Sequence, residues 1–207
     1  MRPGRGAGPQ AGTSYPGSED LSGHPFLETN RLVLRRFTKA DLENLVELHG
    51  DPEVMRFTTG RPTPRQAIER ETLSFFFDFY RRYPSYGYWA AIEKPAGEFV
   101  GWFHLRPAEG EPEDELEIGY RLKRSAWGRG LATEGSIALI GKAFTELGAR
   151  RVFAQTMAVH LASRRVMEKA GLKYVRTFHE TWPDPIPGAE KGEVEYGLTR
   201  EEWNSGT

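Results

Sequence analysis

The sequence predicts an α/β (α+β) fold: a mixed, mostly antiparallel central sheet of about seven strands, flanked by about four helices. Two observations predict it. The elements run strand, two helices, three strands, helix, strand, helix, two strands, so strands dominate while helices interrupt them. The three consecutive strands in the middle also carry a turn, Lys94-Pro95-Ala96-Gly97, that folds the first two into a hairpin. At 207 residues the chain fits one domain with a sizeable core.

Residues 1–25 are rich in Gly, Pro and Ser and poor in large apolar side chains. They cannot bury enough surface to offset their ordering entropy, and a disordered tail is expected before a folded domain over 26–207. RLVLRRF, residues 31–37, reads as a strand. Thr38 is a helix N-cap with Asp41 in the first turn, opening a helix over 39–49 that Asp51-Pro52 breaks. Pro64 starts a second helix reaching about Tyr80, with Phe75, Phe76 and Phe79 on one side. Strands follow over 88–93, 98–106 and 116–122, the last after an acidic loop. A helix over 133–147 carries an apolar stripe of Ile137, Ile140, Phe144 and Leu147, and Gly148 ends it. A strand over 151–156, a helix over 163–170 closed by Gly171, and strands over 174–182 and 193–199 complete the chain.

Composition removes several classes. With no cysteine there is no disulfide, no thiolate zinc site and no cysteine nucleophile. A net charge of -1 and a pI near 6.5 argue against a basic nucleic-acid footprint. No apolar run approaches the roughly 20 residues that cross a bilayer. The first residues lack the apolar centre of a signal peptide, so a cytoplasmic location is expected. His49, His104 and His179 have no metal-ligand spacing with nearby carboxylates.

The informative stretch is Arg124-Ser125-Ala126-Trp127-Gly128-Arg129-Gly130-Leu131-Ala132-Thr133-Glu134, between a strand and an amphipathic helix. Unpaired N–H groups at a helix start, at the positive end of its dipole, form an anion site. Gly128 and Gly130 let the backbone approach a diphosphate, Ala132 keeps the next position small, and Arg124 and Arg129 could add charge. A bare glycine turn before a helix is the plainer reading of the same loop. A dinucleotide fingerprint fails because Thr133 stands where a glycine is needed. A P-loop fails because Gly141-Lys142 is followed by Ala143.

Three motifs stand in order: Glu117-Ile118-Gly119-Tyr120, then Trp127 to Glu134, then Ser163-Arg164-Arg165-Val166-Met167-Glu168-Lys169-Ala170-Gly171-Leu172. Together they resemble the GNAT superfamily of N-acetyltransferases. The resemblance covers about Phe26 to Trp203, and is nearest to the ribosomal-protein N-terminal acetyltransferase (RimJ/RimL-like) branch. It implies the GNAT fold and an acetyl-CoA-dependent N-acetyltransferase acting on a primary amine, a protein N-terminus or a small molecule, with no metal. It implies that Trp127, Gly128, Arg129, Gly130, Ala132 and Thr133 hold the diphosphate of coenzyme A and that Tyr120 and Leu122 border the pantetheine. A helix opened by Ser163 flanks the coenzyme's other side. The branch carries asparagine where this chain has His160, so an imidazole replaces an amide beside the pantetheine. His160 is also read as a helix cap or an exposed ring.

Transfer needs a neutral amine. At pH 7 an α-amino group is roughly a tenth neutral and a lysine about one part in 2,500, so a base helps the lysine more. Glu117, at the start of the strand beside the acetyl group, is the candidate base; the competing reading is an arginine partner. Ser163 or His160 could protonate the leaving thiolate, with Tyr120 and Tyr174 weaker candidates. With no cysteine, direct transfer in a ternary complex is expected. The aromatic run Phe75, Phe76, Phe77, Phe79, Tyr80, Tyr83 and Tyr86 reads mostly as core, partly as acceptor wall. Asp184, Glu190 and Glu193 could attract a cationic amine. The expected partners are acetyl-CoA and the amine, with no nucleic acid and no membrane; a homodimer is left open. A non-catalytic acyl-CoA-binding or scaffold module is the alternative.

Overall fold

The computed structural model describes residues 25–108, 112–182 and 184–206. The tail expected over 1–24 lies outside them. Strands β1 (Pro25–Glu28) and β2 (Leu32–Arg36) form a hairpin. A 3-10 turn leads into helix α1 (Leu42–Gly50), followed by α2 (Pro52–Met55). Short α3 (Arg65–Ala67) continues through a π-helical stretch, Ile68–Leu73, into α4 (Ser74–Arg82). Then come β3 (Gly87–Glu93), β4 (Glu98–Pro107), β5 (Glu115–Leu122), α5 (Leu131–Thr145), β6 (Arg151–Met157), α6 (Leu161–Lys169), β7 (Lys173–Phe178), β8 (Glu193–Thr199) and α7 (Arg200–Ser205).

The eight strands form one sheet in the order β1-β2-β3-β4-β5-β6-β8-β7. Every neighbouring pair is antiparallel except β5 and β6. The mixed sheet is thus as expected, with one strand more than the seven read from sequence. The extra strand is β1, a four-residue segment whose Phe26 stacks on Trp89 at 3.7 Å. Two further elements escaped the sequence reading. Asp51-Pro52 ends α1 but also begins α2: proline suits a first helical position, and Asp51 Oδ1 accepts the Glu53 N–H at 2.9 Å. Thr199 and Glu202 form a capping box that starts α7 straight off β8.

Alternation along the strands builds a core on each face of the sheet. Phe103 and Leu105 of β4 and Leu116, Ile118 and Leu122 of β5 pack with Leu131, Leu139, Ile140 and Phe144. Ile137, expected in that stripe, is 52% exposed, because the buried face of α5 runs through Leu131, Gly135, Ser136, Leu139, Ile140, Ala143 and Phe144 and position 137 lies off it. The opposite face packs Tyr88 and Trp102 against Leu45, Leu48, Ile68, Phe76 and Phe79.

The parallel pairing is short. β5 meets β6 only at Glu115–Arg151, Leu116–Val152 and Glu117–Phe153, while β4 stays paired to β5 as far as Leu122 and β8 to β6 as far as Met157. Beyond Glu117 the two strands diverge, and the sheet opens into a V. Arg151 bridges Glu115 (3.0 Å) and Glu195, and Arg176 joins Glu195 at 2.8 Å, so charges tie β5, β6, β8 and β7 together at the closed end.

Candidate active site at the opened sheet

The glycine loop sits at the mouth of the V. Gly128 (φ 71°) and Gly130 (φ 78°) adopt left-handed backbone, which non-glycine residues rarely enter, and Gly130 is the N-cap of α5. A second layer holds the loop from behind. Arg129 makes a bidentate pair with Glu93 (2.6 and 3.0 Å), and its carbonyl accepts Arg31 Nη1 at 2.8 Å. Glu134 accepts the Thr29 hydroxyl (2.6 Å) and the Arg31 N–H (2.9 Å). Burial pushes the Glu134 carboxyl up, but these hydrogen bonds and Arg31 hold it below its usual value. The Trp127 indole donates to the Leu122 carbonyl at 2.8 Å, fixing the end of β5.

This arrangement corrects the expectation that Arg129 and Arg124 lend charge to an anion. Arg129 is committed to Glu93, and Arg124 to Asp51 at 2.9 Å. What the loop presents is main chain. Gly130 and Thr133 border an open groove of about 560 Å³ along the start of α5, with Thr29 and Ile137 on its walls.

Inside the V, the strand period sorts β5 into two faces. Tyr120 points toward α6: its hydroxyl donates to the Ser163 carbonyl at 3.0 Å and lies 3.0 Å from Ser163 Oγ. Ser163 is buried, and burial pushes the Tyr120 phenol well up, partly offset by Ser163, so both hydroxyls are neutral. His160, at the start of α6, makes no cap. Its ring stacks on Phe57 at 4.2 Å, and burial with Arg56 holds it down to about 4. At pH 7 it is a neutral imidazole, a hydrogen-bonding group but not an acid.

On the other face, Glu117 stands at the vertex, in the last β5–β6 pair and opposite Arg106 of β4. Its carboxylate meets Arg106 Nη2 at 2.5 Å and His104 Nε2 at 3.8 Å, the latter too long for a hydrogen bond. Burial pushes Glu117 up, Arg106 pulls it back and Glu180 adds to the rise. Among the described residues, neither nitrogen of the buried His104 has a hydrogen-bond partner. Its ring lies over Gly119, where a Cβ would come within 2.5 Å of it, so β5 needs glycine there.

A cavity of about 510 Å³ opens on this face between β4–β5 and the helices of residues 42–82, with Phe76, Tyr88, Trp102 and Arg121 in its walls. Phe75 and Phe76 line it, while Phe79 and Tyr80 belong to the core. The acidic loop is less free than its sequence suggests. Glu193 is buried and accepts the Trp182 indole N–H at 2.8 Å, Asp184 faces Arg61 at 3.5 Å, and Glu190 accepts the Gly188 N–H at 3.1 Å. Tyr174 is 54% exposed on β7, away from the V.

The strand pair parts after three rungs, a left-handed glycine loop and a helix start stand at its mouth, and the three motifs lie on the elements around that opening. The sequence profile of the "Acetyltransferase (GNAT) domain" matches residues 31–173. The chain belongs to the GNAT acetyltransferase family. It is an acetyl-CoA-dependent N-acetyltransferase, with acetyl-CoA as cosubstrate. An FsC-acetyl coenzyme A-N(2)-transacetylase of Aspergillus fumigatus is 38% identical over 191 residues, covering 88% of this chain and 80% of that protein. Two solved GNAT structures share the fold. An aminoglycoside acetyltransferase in complex with coenzyme A has a TM-score of 0.67 at 20% identity, covering 84% of this chain and 98% of the other. A spermidine N-acetyltransferase from Vibrio cholerae, with CoA and spermine, has 0.69 at 14%, covering 85% and 99%.

Around this candidate site, sequence reasoning missed Arg31, Glu93 and Arg121. Arg31, in the turn between β1 and β2, and Glu93, at the end of β3, are far from the loop in the chain, and only the folded sheet brings them to it.

Proposed function

We propose that this GNAT enzyme moves the acetyl group of acetyl-CoA directly onto a small-molecule primary amine in a ternary complex. The observation that carries this is the pair of openings on one strand: the V beside Tyr120 and Ser163, and the cavity that Arg121 lines on the strand face that also carries Glu117. The cavity's volume is that of a small-ligand site. The relative named FsC-acetyl coenzyme A-N(2)-transacetylase supports acetyl transfer from the coenzyme to a nitrogen. A protein N-terminus, the acceptor implied by the ribosomal-protein branch, is the second reading, and it rests on the three sequence motifs.

In this proposal the amides of residues 128–133 grip the diphosphate of acetyl-CoA, and the unpaired backbone of 118–122 lies along the pantetheine, near Leu122 and Ala132. The thioester supplies an activated acyl carbon. The strand's N–H groups polarise its carbonyl. Glu117 takes the proton from the attacking amine, directly or through water, its rise above the usual carboxylate value suiting that work. Ser163, hydrogen-bonded to Tyr120, donates a hydrogen bond to the departing sulfur, which leaves as the thiolate and takes its proton from solvent; a thiol's pKa near 8.5 makes this undemanding. His160, neutral and packed on Phe57, shapes the pantetheine wall.

A thiol-release assay over an amine panel, paired with calorimetry against CoA, tests the reading. Release of CoA only when an acceptor is present is expected. A stable acetylated enzyme formed from acetyl-CoA alone would contradict direct transfer, and CoA binding without turnover on any amine would favour a binding module.

A further inference from the structure

Arg121 lies on the Glu117 and Gly119 face of β5, opposite Trp102 of β4. Among the described residues it pairs with no carboxylate. Its Nη2 donates to Thr58 Oγ1 at 3.2 Å, its Nη1 lies 3.1 Å from His49 Nε2, and its guanidinium sits 5.0 Å from the centre of the Trp102 ring. The Trp102 indole N–H also points at His49 Nε2, at 3.2 Å. Two N–H donors converging on one ring nitrogen require a lone pair there, which places the His49 proton on Nδ1. Burial and the nearby Arg121 push His49 down to about 3, so it stays neutral.

Every group holding Arg121 is therefore uncharged. Burial lowers the guanidinium to about 10, which leaves it cationic at neutral pH. Among the described residues the one carboxylate lining the cavity, Glu71, is exposed and makes no ion pair with Arg121. A half-buried cation without a counter-charge costs stability unless something answers it. Of its five N–H donors, two meet Thr58 and His49, and the side chain lines the cavity.

We propose that Arg121 is the anion-recognising residue of the acceptor cavity, and that the acceptor is an amine bearing a carboxylate, in the manner of an amino acid. This rests on the acetyltransferase reading of the same site. The planar fork of a guanidinium matches a carboxylate with two parallel hydrogen bonds. At about 3.4 Å per strand residue, Arg121 stands roughly 14 Å along β5 from Glu117, so an acceptor held by its anion at Arg121 passes its proton to Glu117 through water. A polycationic amine would instead set its second charge against the guanidinium.

The test is calorimetry on the CoA-saturated full chain. The titrants are N-acetylphenylalanine, N-acetylleucine and their C-terminal amides, each standing for a product. The carboxylates are expected to bind at least tenfold more tightly than the amides. Arg121→Gln should bring each pair within twofold, and Arg121→Lys should fall between, with CoA affinity unchanged in both. Absence of carboxylate binding, equal binding of acid and amide by the unaltered protein, or a preference that survives Arg121→Gln overturns the proposal. Failure to bind CoA would overturn the acetyltransferase reading itself, so the two failures are told apart.

Discussion

At the scale of single residues, the proposed reaction assigns proton removal to Glu117 on one face of β5 and the hydrogen bond to the departing sulfur to the Tyr120–Ser163 pair on the other. Glu117→Gln is expected to lower kcat by about 10²–10⁴-fold while leaving the acetyl-CoA KM nearly unchanged. Because the Glu117 carboxyl is raised and a base must be deprotonated, kcat/KM should fall as pH drops through a limb above the ordinary carboxylate range. The variant should lose that limb. Steady-state kinetics between pH 5 and 9 measure both. Ser163→Ala and Tyr120→Phe share one hydroxyl pair, so their effects on kcat should be far from additive in a double-mutant cycle. His49 governs stability rather than chemistry. Its folded pKa, about 3, is below the ordinary 6.5, so its contribution is complete above about pH 6.5 and is lost as pH falls toward 3. In that window it costs about 1.4 kcal/mol per pH unit. Urea unfolding at pH 7 and pH 5 should show that loss, and His49→Gln should flatten it.

Among elements, legibility followed locality. The glycine loop and the helix after it were readable because left-handed turns and helix starts are encoded within a few residues. The three motifs then placed Glu117, Tyr120 and Ser163 on elements that meet at the opening. Two kinds of feature were not readable. One is double use of a residue pair: Asp51-Pro52 stops α1 and starts α2, while a sequence scan sees only the stop. The other is what a side chain does once distant strands close on it. Arg129 reads as a phosphate ligand and turns out to brace the loop through Glu93, 36 positions away. Gly119 illustrates the same lesson. It looks like part of a family motif, and the reason for it is the His104 ring of the neighbouring strand. Gly119→Ala should cost about 1–3 kcal/mol through overpacking, and His104→Ala should recover part of the loss. Thermal or denaturant unfolding of the single and double variants checks this.

For the whole molecule, the sheet is continuous everywhere except between the outer parts of β5 and β6. Amides of 118–122 and 154–157 on the facing edges have no strand to pair with across the V. Hydrogen exchange should therefore be faster there than in β3 or β4, and saturating CoA should slow it selectively. At 100 times its Kd, CoA should also stabilise the fold by about 2.7 kcal/mol. Equal exchange with and without CoA would separate the V from the coenzyme.

The two ends of that V are fastened in unlike ways. Its closed end is riveted by Arg151 between Glu115 and Glu195, whereas its outer end has no strand-to-strand tie. Loosening the rivet changes the angle of the whole wedge without touching any surface a substrate meets. Glu195→Gln should accordingly weaken acetyl-CoA binding from the far side of β6, and strong salt should imitate it in the unaltered enzyme. Affinity for the coenzyme is in this sense expected to respond to leverage, from a fulcrum made of charge.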